Sequence, residues 1–225
     1  VEGGAAATLD SSSTLNLSGN NAVGILVNTL RSDLSNALDG SAAATRVTSN
    51  ASIRGAGSGA TGVDITNGAT LINNGALSLT GNNSIGIRSR AGSTLTNNGV
   101  VTVTSGTGLD VSGRGSTLAQ GGVINVENGV AGVRISEGAR LALNGRTTAI
   151  TARGTAHGIL LDQGAAALSA ADASINVSGS GNGIENRAEL SNVSLSNLTL
   201  NVGNGSGIRT GVAFDPASTV TANVR

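Results

Sequence analysis

"GIRSRAGSTLTNNGVVTV", residues 86–103, contains three short extended pieces separated by corners rich in glycine and asparagine. The pieces are "GIRS" at 86, "STL" at 93 and "VTV" at 101. Apolar and polar residues alternate along them, which is typical of β-strands with one buried face. Glycine and asparagine favour the corners because they adopt positive φ angles most easily. The stretch therefore predicts three strands joined by tight corners.

The same pattern recurs along the chain of 225 residues. Alignment on a glycine followed by an aliphatic residue yields eight copies, separated by 38, 24, 22, 24, 26, 25 and 24 residues. Repeats of this length are typical of solenoids, in which each unit buries its apolar face only against its neighbours. The aligned glycines are Gly24, Gly62, Gly86, Gly108, Gly132, Gly158, Gly183 and Gly207.

Three strands in about two dozen residues describe one coil of a parallel β-helix, with coils stacked about 4.8 Å apart. We therefore predict an all-β fold, a right-handed parallel β-helix of about eight three-stranded coils with roughly 24 residues per coil. The handedness is assigned by analogy. Residues 15–225 are assigned to the β-helix and residues 1–14 to an N-terminal edge or cap segment. The chain is expected to be a fragment of a longer protein, because no polar cap follows its last coil.

The amino-acid composition argues against several classes of protein. Charged residues make up 12% of the chain, the formal net charge is zero, and Phe214 is its only aromatic residue. A chain without a basic excess lacks the electrostatic footprint of nucleic-acid binding. Disorder is also a poor fit, because 38% of the residues are hydrophobic. The absence of cysteine excludes disulfides, thiolate metal sites and cysteine nucleophiles.

The residue two positions after each aligned glycine is expected to point outward from the coil. The charged members of this series alternate in sign, so opposite charges would lie side by side on adjacent coils. We interpret the alternation as register control, worth little per exposed pair; a binding surface is the alternative. In chain order the series is Leu26, Asp64, Arg88, Asp110, Arg134, Leu160, Glu185 and Arg209.

The one long spacing holds an insertion that we assign to a loop or short helix at residues 31–46. Leu30, Leu34 and Leu38 fall at helical spacing. The segment is interpreted as a lid or cap over one corner. A partner-binding loop is the alternative, because insertions in solenoids often carry contacts.

No motif in the chain predicts catalysis, a cofactor or a metal. His157 is the only histidine, and it occupies a corner position at which other coils carry unrelated residues. A general base needs a nucleophile or acid held nearby. Enzymes built on β-helices that cleave polysaccharides need clustered carboxylates, whereas the 13 Asp and Glu residues here are scattered. We therefore expect a protein that is not an enzyme.

Three segments carry a family resemblance: "GIRSRAGSTLTNNGVVTV", "GVDITNGATLINNGALSL" and "GVRISEGARLALNG". They resemble the passenger domains of Gram-negative autotransporters, the type V secreted proteins. The resemblance covers nearly the whole chain but carries over no functional residue. It implies a rod exported across the outer membrane to the cell surface or medium, with a C-terminal β-barrel translocator outside this chain.

Passenger domains of this kind are commonly adhesins or self-association factors, which is the function expected from the resemblance. The expected partners are a second copy of the chain, a host surface protein or a glycan, with no nucleic acid. A passive stalk that displays another domain is the alternative, and a carbohydrate-active β-helix enzyme is a weaker one.

Overall fold

A computed structural model describes residues 1–29, 44–144, 148–165, 167–189 and 191–225. Within these ranges the protein is all-β, with 24 strands and no helix. The strands form a right-handed parallel β-helix of about seven turns, each of about 24 residues. Eight strands stack along one side of the rod, so seven turns separate the first from the last. The predicted fold class is confirmed.

Each coil contributes three strands, numbered along the chain. They are β1 (Ala6–Leu9), β2 (Thr14–Leu17), β3 (Val23–Asn28), β4 (Arg46–Ser49), β5 (Ser52–Gly55), β6 (Thr61–Thr66), β7 (Thr70–Asn73), β8 (Ala76–Leu79), β9 (Ser84–Ser89), β10 (Thr94–Asn97), β11 (Val100–Val103), β12 (Gly106–Val111), β13 (Thr117–Gln120), β14 (Val123–Glu127), β15 (Ala131–Ile135), β16 (Arg140–Asn144), β17 (Ala149–Gly154), β18 (His157–Leu161), β19 (Ala167–Ala171), β20 (Ser174–Gly179), β21 (Ile184–Asn186), β22 (Asn192–Val202), β23 (Ile208–Thr210) and β24 (Thr219–Val224).

The rod has three faces. Face I stacks the first strand of each coil, from β1 to β19, and face II stacks the second, from β2 to β20. The long strand β22 pairs with both β19 and β20, and it therefore joins faces I and II into one 16-stranded sheet. Face III stacks the third strand of each coil, from β3 to β23.

The aligned repeats are register partners in the structure. The aliphatic residue after each aligned glycine lies against its counterpart in the next coil and points into the core. Stacking like on like removes each side chain from water without requiring a different shape in each coil. The stack runs Ile25, Val63, Ile87, Leu109, Val133, Ile159, Ile184 and Ile208.

The aligned glycines are required by close packing between coils. A Cβ added at Gly86 would lie 2.4 Å from the carbonyl oxygen of Gly108 and 2.5 Å from a methyl of Val101. At Gly62 the same atom would approach the Gly86 oxygen to 2.6 Å. Separations this short are repulsive, so any larger residue would push adjacent coils apart.

Asparagines in the "NNG" corners form two stacks, one inside the rod and one outside. In the buried stack, the Asn73 side-chain amide donates to Asn97 at 2.7 Å, and that of Asn97 donates to Gln120 at 2.9 Å. Asn98 donates to Asn74 at 3.0 Å on the exposed side. Asn97, in the middle of the buried stack, both accepts from one neighbour and donates to the next, which lets its polar amide remain in the core at low cost.

The buried amide stack ends where the next coil offers no amide. Leu143 is the register partner of Gln120, and Ser49 is that of Asn73. The Gln120 Nε2 and Ser49 Oγ atoms have no hydrogen-bond partner among the described residues. The stack is therefore satisfied internally and loses hydrogen bonds only at its ends.

The predicted N-terminal segment and the predicted insertion can be compared with the structure only in part. Residues 1–14, expected to form an edge or cap segment, contain β1, which is the terminal strand on face I. The predicted insertion at 31–46 lies outside the described residues up to residue 43, and so do Leu30, Leu34 and Leu38. Its last residue, Arg46, begins β4.

The buried amide stack generates a stability prediction. Replacing Asn97 with alanine removes three buried hydrogen bonds, one of them a 3.4 Å contact to the Gly99 carbonyl, and leaves the amide groups of Asn73 and Gln120 without that partner. We expect the free energy of unfolding in urea to fall by about 2 to 4 kcal/mol. The matched control is Asn98→Ala in the exposed stack, where water replaces the lost partner and the expected loss is below about 1 kcal/mol. Equal losses in the two variants would contradict the assignment of the buried stack.

Candidate functional site

The charged residues predicted to align on face III are successive register partners on its outer side. Asp64 and Asp110 each lie 4.0 Å from Arg88, one on either side of it. The Arg134 guanidinium lies 3.6 Å from Asp110. Arg209 lies 4.0 Å from Glu185. We call this series, together with Leu26 and Leu160, the face III ladder.

Shorter contacts come from residues two positions further along the coil. Arg90 forms a bidentate pair with Asp64, at 2.8 Å and 3.3 Å. Arg134 donates from Nε and Nη2 to one oxygen of Asp162, at 3.0 Å and 2.8 Å. Arg187 donates to Glu185 at 3.2 Å. An arginine that donates two hydrogen bonds to one carboxylate interacts with it more strongly than an arginine at 4.0 Å does.

Sequence reasoning missed Arg90, Asp162 and Arg187. A signal was present, because each lies four positions after an aligned glycine and therefore on the same outer side of face III. Nearest-neighbour alignment considers only residues directly opposite each other. Arg90 and Arg134 instead reach diagonally to a carboxylate of the adjacent coil, whereas Arg187 contacts Glu185 within its own coil.

The ladder is not uniformly exposed, which corrects the expectation of a series of exposed pairs. The side chains of Asp64, Asp110 and Glu185 are 6%, 13% and 8% exposed. Their arginine partners are between 34% and 67% exposed. The guanidinium groups thus cover the carboxylates, since a long side chain keeps its charged end in water while its stem packs on the sheet. A partner approaching face III would meet mainly arginine.

Asp110 is the least well-bound carboxylate of the ladder. Burial raises its pKa, while the charges of Arg134 and Arg88 act in the opposite direction. Its Oδ1 has no hydrogen-bond partner among the described residues. Burial also acts to raise the pKa of Asp162, but hydrogen bonds from Arg134 and the Gln163 backbone bring it below its usual value. Hydrogen bonding to the charged form therefore distinguishes the two sites.

His157 is held as a neutral hydrogen-bond acceptor on β18. The backbone N–H of Asn182 donates to its Nδ1 at 3.0 Å. Burial lowers the pKa of His157, the Glu185 charge raises it, and the Arg187 and Arg209 charges lower it. Glu185 itself accepts a hydrogen bond from the Asn182 side chain at 2.6 Å. This arrangement links two coils and gives His157 a structural role.

The described residues provide neither a cluster of metal ligands nor a membrane-spanning helix. No group of three or more His, Asp and Glu side chains among the described residues could hold a metal ion. None of these residues forms a helix long and apolar enough to cross a bilayer. Compared with protein-family models, curated proteins and solved structures, the chain gives no match. A function must therefore be argued from the faces of the rod.

The two kinds of carboxylate generate a prediction. Asp64→Asn is expected to lower the free energy of unfolding by about 1 to 3 kcal/mol, because it breaks the bidentate pair with Arg90. Asp110→Asn is the matched comparison, with a change below about 1 kcal/mol or a gain near neutral pH. Urea unfolding of both variants measures the difference. A larger loss in the Asp110 variant would contradict this description of the ladder.

Any gain in stability of the Asp110→Asn variant depends on pH. A raised folded pKa means that the folded state binds the proton more readily than the unfolded state. The contribution of Asp110 to stability is therefore present below the unfolded value of 3.8 and is lost as pH rises through the folded pKa. Any gain in the variant is expected near neutral pH and should shrink on acidification.

His157 generates a second pH prediction, of opposite sign. Its folded pKa lies below the unfolded value of 6.5, so the unfolded chain binds the proton more readily. The contribution of His157 to stability is fully present above pH 6.5 and is lost as the pH falls from there toward the folded pKa. Unfolding in urea at several pH values between about 5 and 7 is expected to show a smaller loss on acidification for His157→Gln than for the natural chain. Identical pH profiles would contradict the role assigned to His157.

Proposed function

We propose that this chain is a non-catalytic adhesive rod, displayed on a bacterial surface or secreted, that acts as an adhesin or a self-association factor. The observation that carries the proposal is the repetition of outward side chains in straight series over about seven turns. Such a rod extends about 34 Å along its axis at about 4.8 Å per coil. Repetition lets many weak contacts act together, which raises avidity without any single strong site.

The scaffold is suited to this role because its outward side chains are already ordered. They stand on strands that are paired on both sides, except at the two ends of the rod. Binding through such groups loses less conformational entropy than binding through a flexible loop. The rod therefore supports recognition of an extended partner.

The state of the ladder carboxylates supports a non-catalytic role. Asp64, Asp110 and Glu185 are buried and each lies within 4.0 Å of an arginine. Glycoside cleavage uses one carboxyl group as an acid beside a second, free carboxylate. Carboxylates covered by arginine are poorly placed for that chemistry.

Export to the cell surface is supported by the resemblance of the repeats to autotransporter passenger domains. The absence of cysteine fits passage through a narrow pore, since no disulfide can form before export. Localisation at the surface or in the medium is part of the proposal.

A passive stalk is the second candidate, favoured by the pairing of charges within face III. The ladder carboxylates are engaged by arginines of the same chain rather than presented to a partner. A stalk requires only that the coils stay in register, and the ladder supplies that. The two candidates differ in whether the isolated rod binds anything.

Sedimentation velocity across protein concentration and salt, combined with adhesion of coated microspheres to cultured cells, tests the proposal. Adhesion, or association of the chain with itself, is expected. Salt-sensitive association should weaken in an Arg88→Gln/Arg134→Gln variant, because those guanidinium groups are about one third exposed in the middle of the ladder, where the carboxylates are buried. The matched control is Arg46→Gln/Arg140→Gln, which removes the same charge from exposed sites on face I. A strict monomer whose microspheres fail to adhere would favour the passive stalk and overturn the proposal.

A further inference from the structure

Face II carries a line of shallow depressions. One, of about 320 Å³, is lined by Thr102, Asn125 and Thr151 together with charged residues at its edge. A second, of about 440 Å³, is lined by Thr151, Asn176 and Asn201. Because the two share Thr151 and Arg153, they form one continuous trough, which we call the face II groove. A third depression, of about 530 Å³, lies nearer the N-terminal end of the same face.

The floor of the groove is a straight series of uncharged hydrogen-bonding groups. Thr102, Asn125, Thr151, Asn176 and Asn201 are successive register partners, one from each coil. Five groups at about 4.8 Å per coil span about 19 Å along the axis. Each hydroxyl or amide can both donate and accept. A ligand with regularly spaced hydroxyl groups satisfies such a floor.

An aliphatic series flanks the floor of the groove on one side, and charged residues line the groove on the other. Val100, Val123 and Ala149 are register partners two positions before the floor residues, outside the lining of the two depressions, and Val100 is 43% exposed. Glu127 and Arg153 are register partners on the opposite side, and Arg225 lines the C-terminal end of the groove. Sugar rings present C–H groups on their faces and hydroxyl groups at their edges, so this mixture fits a sugar chain.

Part of the floor is fixed before any ligand binds. The Asn201 side-chain amide donates to Asn176 at 2.7 Å, and that of Asn176 donates to Ser174 at 3.3 Å. These bonds set the orientation of the amides and leave further donor and acceptor positions on each. Fixed polar groups reduce the entropy lost on binding.

We propose that the face II groove binds a linear, uncharged polysaccharide that runs along the axis of the rod. This inference rests on the proposed adhesive function and names its partner class. A second copy of the chain is a poorer occupant, because two concave grooves facing each other leave their floors out of contact. An added β-strand is also disfavoured, because the backbones of β11, β14 and β17 are already paired on both sides.

Calorimetric titration with neutral hexasaccharides of glucose, mannose, galactose and N-acetylglucosamine tests the proposal on the full chain. Binding of at least one is expected. A Thr102→Val/Thr151→Val variant removes two floor hydroxyls while keeping β-branched side chains suited to strands. It should weaken binding about tenfold. The matched control is Thr48→Val/Thr96→Val on face I, also outward, half-buried and two coils apart, and it should bind like the natural chain.

Thermal unfolding of both variants confirms that they fold. Failure to bind any hexasaccharide, or equal weakening in both variants, overturns it. Self-association lost only in the groove variant would make a second copy the occupant and overturn it. Binding of heparin oligosaccharides alone, abolished by Arg88→Gln/Arg134→Gln, would assign the ligand to face III and overturn it. If microspheres adhere to cells while no hexasaccharide binds, the adhesive function stands and the groove assignment falls.

Discussion

The parallel register between coils is the constraint on which the rest of the structure depends. Each coil places every residue directly over its counterpart in the next, so a side chain is packed or hydrogen-bonded mainly by residues about 24 positions away. No coil buries its apolar face alone, and stability accumulates from neighbour to neighbour. Each side chain must therefore be compatible in shape, hydrogen bonding and charge with the side chain at the same position one coil away.

This rule explains why aliphatic, amide and charged residues each form continuous series. Leu95 lies between Leu71 and Leu118 in the core, where like shapes interdigitate. Asn97 lies between another asparagine and a glutamine, whose amides supply the hydrogen bonds that its own buried amide needs. Arg88 lies between two aspartates, since equal charges at that spacing would repel.

Sequence reasoning reached the fold because the rule leaves a period in the sequence. The aligned glycines, such as Gly86, marked the position of closest approach between coils, and the aliphatic residue after each one marked the core. The buried amide stack was not anticipated, because asparagine in "NNG" is also typical of turns. Only the structure shows that Asn73 and Asn97 point inward while Asn74 and Asn98 do not.

The candidate sites were harder to predict, because they depend on depth and reach rather than on period. The alternation of charge identified the face III ladder, but the burial of its acids depends on arginine stems folding over them. The face II groove depends on how far adjacent series of side chains project. A charged ladder whose pairs are closed within the chain keeps the coils in register. A face whose hydroxyls and amides line an open trough retains hydrogen-bonding capacity, which is why we propose face II, rather than the charged ladder, as the site for a sugar chain.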